Sequence, residues 1–306
     1  MSGHKQRLWV VLGPTASGKT NFSVQLARKI NAEIVVCDAY QIRKGLPLLT
    51  AKPSGEELSI PHHLLNEFPT EQPATVGGFL QAANRAIINI AKRGKQVVIC
   101  GGTGLYLRSL LEGFCQAPPA SLEVRLQLAE QQKQNGPTFL YEKLKGVDPK
   151  AAQRIHPNDY MRIERALEVY QLTGVPLTEF HQESKKLREN SPYEAIKIGL
   201  DPGRRELLDR IEKRISSMID LGVVDEVKDI YQHYGRYDNS PIGYNTICDF
   251  IDGKIDQLHM REEIRKQTAH YAKRQRTWFK KETNTTWLDF CLPTELNAWI
   301  DKIIKV

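Results

Sequence analysis

The residues Gly13-Pro14-Thr15-Ala16-Ser17-Gly18-Lys19-Thr20 have the types and spacing to bind phosphate. They fit G-x-x-x-x-G-K-[ST], in which glycines let backbone N–H groups converge on a diphosphate or triphosphate. In that pattern Lys19 reaches a terminal phosphate and the Thr20 hydroxyl ligates Mg²⁺. The pattern leaves open which phosphate compound binds and what becomes of it. Asp38 follows an apolar run, where a carboxylate can act as general base, help hold the metal, or simply shape a turn. Gly101-Gly102-Thr103-Gly104 follows another apolar run and reads as a tight turn on the same rim. The run before it, Val97-Val98-Ile99-Cys100, carries no carboxylate. That counts against ordinary ATP hydrolysis, in which an aspartate at the end of this strand often helps hold Mg²⁺.

Three basic groupings offer phosphate contacts or, as lone charge stripes more commonly are, solvated helix faces. Arg162 and Arg165 stand at i and i+3, and Arg210 and Arg214 stand one helical turn apart. Lys266, His270, Lys273, Arg276 and Lys280 form a stripe on the last long helix, with Trp278-Phe279 nearby. His62-His63 has no further Cys or His at ligand spacing and reads as a structural loop.

These groups need a scaffold that brings strand ends together. Leu8 to Leu12 reads as a buried strand, and Phe22, Leu26 and Ile30 mark the helix after the glycine loop. Ala32 to Val36 and Gln96 to Cys100 are further strands, separated by a helix with Phe79, Ala83, Ile87 and Ile90 on one face. Such alternation predicts an α/β fold, a P-loop NTPase-like parallel sheet flanked by helices, with ligands at the carboxyl ends of the strands. From Pro118-Pro119 the character changes to helical patterns alone, until Ala195 to Leu200 reads as a strand re-entering the sheet. Long helices then cover Leu207 to Ile219 and about Met260 to Lys281, and Thr286 to Phe290 reads as a last strand. The expected organisation is a core over residues 1–115 and 196–306, with an all-helical insertion domain over 116–195.

The 306 residues carry a net charge of +7, with 41% hydrophobic and 26% charged side chains, as in a soluble globular protein able to meet nucleic acid. No apolar run approaches the ~20 residues of a membrane span. Met1 to Arg7 is polar and runs directly into the first strand, so no signal peptide is expected. Cys37, Cys100, Cys115, Cys248 and Cys291 are scattered without a C-x-x-C pair. That argues against a zinc site or a disulfide framework and for a reducing, cytoplasmic setting.

Taken in order, several segments resemble the bacterial tRNA dimethylallyltransferase family. They are the run Gly13–Thr20, Thr50-Ala51-Lys52-Pro53, Ile60-Pro61-His62-His63-Leu64, Gly101-Gly102-Thr103-Gly104-Leu105-Tyr106, and Asp148-Pro149. Ile155-His156-Pro157-Asn158-Asp159, Arg165 to Tyr170, Thr173-Gly174 and Tyr271 to Phe279 complete the set. The resemblance covers nearly the whole chain and implies prenylation of the adenosine next to the anticodon. It implies that Gly13, Pro14, Thr15, Ala16, Ser17, Gly18, Lys19 and Thr20 hold dimethylallyl diphosphate rather than ATP, with Mg²⁺ on Thr20. Asp38 matches the general base, and Arg214, or else Arg210, matches an arginine near the diphosphate. Thr103 matches a threonine beside the target nucleotide. Contacts to tRNA are implied for Asp38, Ala39, Tyr40, Gln41 and Arg125. They are implied also for Arg162, Ile163, Glu164, Arg165 and Ala166, and for Lys273, Arg274, Gln275, Arg276 and Thr277. The expected partners are dimethylallyl diphosphate and the anticodon stem-loop of tRNA, with no membrane and a monomeric enzyme.

The chain departs from the family pattern in places. Ala39 and Arg43 stand where a serine and a tyrosine are usual, Leu46-Pro47-Leu48 replaces an aspartate-containing turn, and Asn245-Thr246 replaces a Lys-Glu pair. Transfer to free AMP-type nucleotides, a small-molecule kinase reaction, and tRNA binding without catalysis are the competing readings. A small acceptor has no need of the helical insertion and basic last helix, the acid-free strand opposes a kinase, and intact Lys19, Thr20 and Asp38 oppose an inactive binder.

Overall fold

In a computed structural model, residues 5–72, 74–114, 117–189, 191–289 and 296–304 are described; Phe290, Cys115 and Cys291 lie outside them. The first half-core runs β1 (Gln6–Leu12), α1 (Lys19–Ile30), β2 (Ala32–Val36), β3 (His62–His63), α2 (Val76–Lys92), β4 (Gln96–Gly101) and α3 (Gly104–Glu112). Helices α4 (Leu122–Asn135), α5 (Phe139–Val147), α6 (Pro149–Ala152), α7 (Tyr160–Thr173) and α8 (Leu177–Glu189) follow. The chain then makes β5 (Tyr193–Leu200), α9 (Arg204–Asp220), α10 (Val223–Tyr234), α11 (Tyr244–Ile251), α12 (Gln257–Phe279), β6 (Thr285–Leu288) and α13 (Leu296–Ile304).

The strands pair in parallel, in the order β3-β2-β4-β1-β5-β6. All five residues of β2 and the last five of β1 are buried, as strands covered on both faces must be. β1 lies between β4 and β5, so the chain leaving it crosses β4 to reach β2. That crossing opens a crevice at the carboxyl ends of β1, β2 and β4, the place where open α/β sheets bind ligands. The apolar stripe of α2 is buried as its period requires, with Phe79, Ala83 and Ile90 fully inaccessible. One core packs α1 and α13 on the sheet through Phe22, Leu26, Val98 and Ile300, and a second gathers α9, α10, α11 and α12 around Ile211, Val227, Tyr244 and Met260.

The chain divides into two compact units, residues 1–108 with 192–306, and residues 109–191. The shift in composition at Pro118-Pro119 therefore lies inside the second unit, and α3 runs on across the division. The helical unit has its own core of Leu128, Leu140, Leu144, Ile163, Ala166 and Leu167. Asp148, 1% exposed, ties it together. Its Oδ1 accepts the Ala151 N–H at 3.0 Å and the Thr178 hydroxyl at 2.6 Å, and its Oδ2 accepts the Thr178 N–H at 3.0 Å. It thus caps α6 and holds the start of α8, two jobs that its place before Pro149 conceals.

Two local readings change. His62-His63, expected as a loop, forms the short edge strand β3 against Ile34 and Val35. There His63 Nε2 lies 2.6 Å from Oε2 of buried Glu33, which Arg93 and Lys95 also grip. These cations hold the Glu33 carboxyl at about 2 against the upward push of burial. The re-entry strand begins at Tyr193, because Gln6 to Leu12 pairs with Tyr193 to Gly199 along its full length.

Candidate active site

The loop after β1 is shaped by its backbone. Gly13 has φ +151°, and a Cβ there would meet the Leu200 carbonyl oxygen at 2.5 Å, so only glycine lets β1 end beside β5. Gly18, at φ +88°, turns the chain into α1. Lys19 folds back, its Nζ donating to the Pro14 carbonyl at 2.6 Å. Burial pushes its ammonium below the usual lysine range, against the opposing pull of Cys100 and Asp38. Such a group is poised to gain a negative partner.

A cavity of about 430 Å³ opens over this loop. Thr15, Ala16, Gly18, Lys19 and Thr20 line one side, and Asp38, Tyr40 and Gln41 line another. Helix α9 brings Arg210 and Arg214 to it: Arg214 Nη1 donates to Thr15 Oγ1 at 2.9 Å, and Arg210 Nη1 donates to the Ser17 carbonyl at 3.4 Å. Both arginines singled out from the sequence therefore converge on the phosphate loop. Burial lowers the Arg214 guanidinium, with Asp38 opposing. Ile211, Ile215 and Met218 of α9 continue the same wall as an apolar surface, facing Leu49, Ile242 and Ile264.

Asp38 splits its duties. Oδ1 accepts the N–H groups of Tyr40 at 2.9 Å and Gln41 at 3.2 Å, which is the turn-forming role. No hydrogen bond to Oδ2 is found among the described residues, and the side chain lines the cavity. Thr103 locks this turn to the β4 loop: its hydroxyl accepts the Ala39 N–H at 2.9 Å, and its N–H donates to the Cys37 carbonyl at 3.3 Å. Gln41 carries the turn onward by donating to the carbonyls of Thr50 and Ala51. Tyr40 is stacked under the Arg43 guanidinium at 5.2 Å.

The model of the IPP transferase family matches residues 41–282. The chain belongs to that family. The tRNA dimethylallyltransferase 1 of Pelobacter propionicus is 41% identical over 288 residues, 93% of each chain. The crystal structure of the full-length tRNA isopentenylpyrophosphate transferase of Bacillus halodurans matches at a TM-score of 0.72 and 34% identity, over 98% of this chain and 96% of that one. A eukaryotic dimethylallyltransferase, described as acting on tRNA, matches at a TM-score of 0.82 and 28% identity, over 97% of this chain and 78% of its own.

The residues of α12 and of the helical unit expected to contact RNA fall into three groups. Lys273, Arg274 and Thr277 are exposed, and they line a surface pocket with Arg108, His270 and Trp278. Arg162 is also exposed and pairs with Asp159 at 2.8 Å. Ile163 and Ala166, in contrast, are core side chains of the helical unit, and Glu164 is 7% exposed, so these three present no side chain to a partner. Arg125 and Arg165 are held by Glu168, which is fully buried and also accepts the Ser121 N–H. Gln275 is buried too and works inward: Oε1 accepts the Thr15 N–H at 2.7 Å, and Nε2 donates to the Gly102 carbonyl at 2.9 Å. Arg276 pairs with Asp201 at the end of β5.

These α12 contacts account for two glycines of Gly101-Gly102-Thr103-Gly104. A Cβ on Gly102 would meet Gln275 Nε2 at 2.3 Å, and one on Gly104 would meet Trp278 Nε1 at 2.1 Å. Glycine here is a packing requirement of α12 against the rim. Two site groups escaped the sequence reading. Tyr271 lines the cavity, and its phenol is pushed well up by burial and by Asp38, with a hydrogen bond to Thr103 opposing. Lys52 donates to the carbonyls of Arg43 and Gly45 and to Asn66 Oδ1, closing the 43–66 loop; burial lowers its ammonium to about 8. Tyr271 follows Ile264 on the apolar stripe of α12, and Lys52 lies in Thr50-Ala51-Lys52-Pro53, so position on a face and an isolated lysine between apolar loops were the available signals.

Proposed function

We propose that this protein transfers a dimethylallyl group from dimethylallyl diphosphate to N6 of the adenosine 3′ to the anticodon in tRNA. The observation that carries the reading is one cavity holding a phosphate loop, two arginines, an unshared carboxylate oxygen and an apolar wall. A kinase needs the first two; an allylic donor makes use of all four. The names of the relatives support the choice of tRNA as acceptor.

In this reading the N–H groups of Gly18, Lys19 and Thr20 at the head of α1 receive the diphosphate, with Lys19 Nζ and the Arg214 guanidinium against its oxygens. The adenine must leave its stack to enter the cavity, at a cost of a few kcal/mol. Its N6 lone pair forms the new C–N bond at the allylic C1 while the C1–O bond breaks, its electron pair leaving with the diphosphate. The N6 proton passes to Asp38 Oδ2, which the Oδ1 bonds hold in place. Thr20 and Asp38 also form a donor set suited to Mg²⁺, a cation that takes few protein oxygens and completes its shell with substrate phosphates and water. When bound, it would add positive charge on the leaving diphosphate. Exposed Arg162, Lys273, Arg274 and Thr277 are the side chains available to the RNA backbone, and the enzyme acts as a cytoplasmic monomer. Among the described residues no helix is long and apolar enough to cross a membrane.

The test is incubation of the protein with dimethylallyl diphosphate, Mg²⁺ and either unmodified tRNA or AMP, followed by mass analysis of the adenosines. Isopentenyladenosine in tRNA is the expected product. Label on AMP alone would assign the chain to nucleotide prenylation, and tRNA binding without product would leave it a binding protein.

A further inference from the structure

The apolar end of the cavity is built on the same helix as its cationic end. Arg210, Ile211, Arg214, Ile215 and Met218 all line the cavity, spaced so that they share one face of α9. Arg214 marks the phosphate end through its bond to Thr15 Oγ1. Met218 stands one turn further on, about 6 Å along the axis. A five-carbon chain attached to a diphosphate held at Arg214 spans about that length, and a ten-carbon chain overruns it.

The wall around Met218 differs in freedom. Ile211, Ile215, Leu49 and Ile264 are each at most 6% exposed and belong to one packed cluster. Leu49 and Ile264 both line the cavity and both pack beside Gly243, where a Cβ would lie 3.3 Å from Ile264 and 3.4 Å from Leu49. Met218 is half-buried and packs only on the margin of that cluster. Its unbranched thioether arm lines the cavity from outside the buried cluster, so it can be shortened without removing a core side chain.

We infer that Met218 is the specificity-determining residue for chain length: it is the stop at which a five-carbon allylic group ends and which a ten-carbon group strikes. The inference rests on the prenyl-transfer reading given above.

The experiment offers the full-length enzyme equal amounts of dimethylallyl and geranyl diphosphates, with unmodified tRNA and Mg²⁺, and reads both products by mass. Wild type should attach the five-carbon group. Met218→Ala should slow that transfer and raise the ten-carbon to five-carbon product ratio at least about tenfold, since one methylene in an apolar pocket is worth about that much. Met218→Leu, similar in volume, should keep the wild-type ratio. A Met218→Ala enzyme that transfers the five-carbon group with the wild-type ratio overturns the inference and leaves prenyl transfer standing. A wild-type protein that attaches neither group overturns both. If Met218→Ala is folded but attaches neither, competition by a saturated ten-carbon alkyl diphosphate decides: binding about tenfold tighter than to wild type supports the stop, and unchanged binding overturns it.

Discussion

Two pairs of arginines do opposite work in the structure. Arg210 and Arg214 lie one turn apart on α9 and turn toward the phosphate loop, where Arg210 also pairs with half-exposed Glu206 at 2.7 Å, and Arg214 meets a threonine hydroxyl and makes no ion pair among the described residues. Arg125 and Arg165, in the helical unit, close on Glu168 at 2.9 and 2.6 Å. Burial alone would raise the Glu168 carboxyl, but the two guanidiniums hold it below its usual range. What separates the pairs is the supply of buried carboxylate. Glu282 behaves like Glu168, gathering Arg108 and Lys197, and Glu33 does the same with Arg93 and Lys95. Where an acid is buried, nearby cations belong to the fold. Arg214 lines the cavity with no such acid as partner among the described residues, which in the proposed reading leaves its charge to the diphosphate.

The largest effects should come from the cavity. Asp38→Asn keeps an oxygen to accept the Tyr40 and Gln41 N–H groups but removes the base. Turnover should fall by about 10³, within the span of general-base removals, with tRNA affinity close to wild type. Wild-type turnover in this variant would end the assignment of Asp38. Arg214→Ala should lower kcat by about 10²–10³, the usual loss when a donor to a developing anion is removed. Its unfolding midpoint should stay near wild type, because the side chain lost has a hydroxyl partner rather than a buried acid. A large fall in stability with normal turnover would place Arg214 with Arg125 and Arg165 and dissolve the contrast.

The elements of the core were legible because period and position agreed. The buried runs of β1, β2 and β4 and the stripe of α2 each state their packing in the types of residues they use. The phosphate loop was legible for the same reason, since a strand and a helix flank it at fixed spacing. The roles of long polar side chains were not. Gln275 sits among Lys273, Arg274 and Arg276, and nothing in that run says that it turns inward to the Thr15 N–H, 260 positions away in the chain. Ile163 and Ala166 occupy a segment read as RNA-binding, yet the helical period of α7 sends them to the core and leaves Arg162 outside. Edge strands are equally hard to see. β3 has two residues, too few for any alternation, and exists because Ile34 and Val35 offer it a free edge.

Glu168 provides the converse test. Replacing it by Gln leaves two half-exposed guanidiniums without their anion, and because water can reach them the cost should be about 2–3 kcal/mol, below that of a fully sealed pair. Denaturant unfolding of the full chain measures it. The pH dependence has a definite sign. The folded value lies below the unfolded 4.5, so Glu168 stabilises fully above that pH, and the contribution is lost as pH falls through the folded value. The Gln variant should show a shallower acid loss than wild type. An identical acid profile would mean that the buried carboxylate does not carry the two arginines.

The smallest effect, and the one that best separates the two kinds of arginine, belongs to Arg162. It shares α7 with Arg165, but its side chain is 70% exposed and its partner Asp159 lies on the surface. Exposed pairs of this kind contribute about 0–1 kcal/mol, so Arg162→Ala should leave stability unchanged. If Arg162 meets a phosphate of the RNA, its loss should weaken tRNA binding severalfold. It should also reduce the slope of log affinity against log salt by about 0.7–0.9, the share of one contact. Arg165→Ala should do the reverse, lowering stability while leaving the salt slope alone, because its charge is already spent on Glu168. Equal slopes for wild type and Arg162→Ala would remove the helical unit's most exposed candidate from the RNA interface.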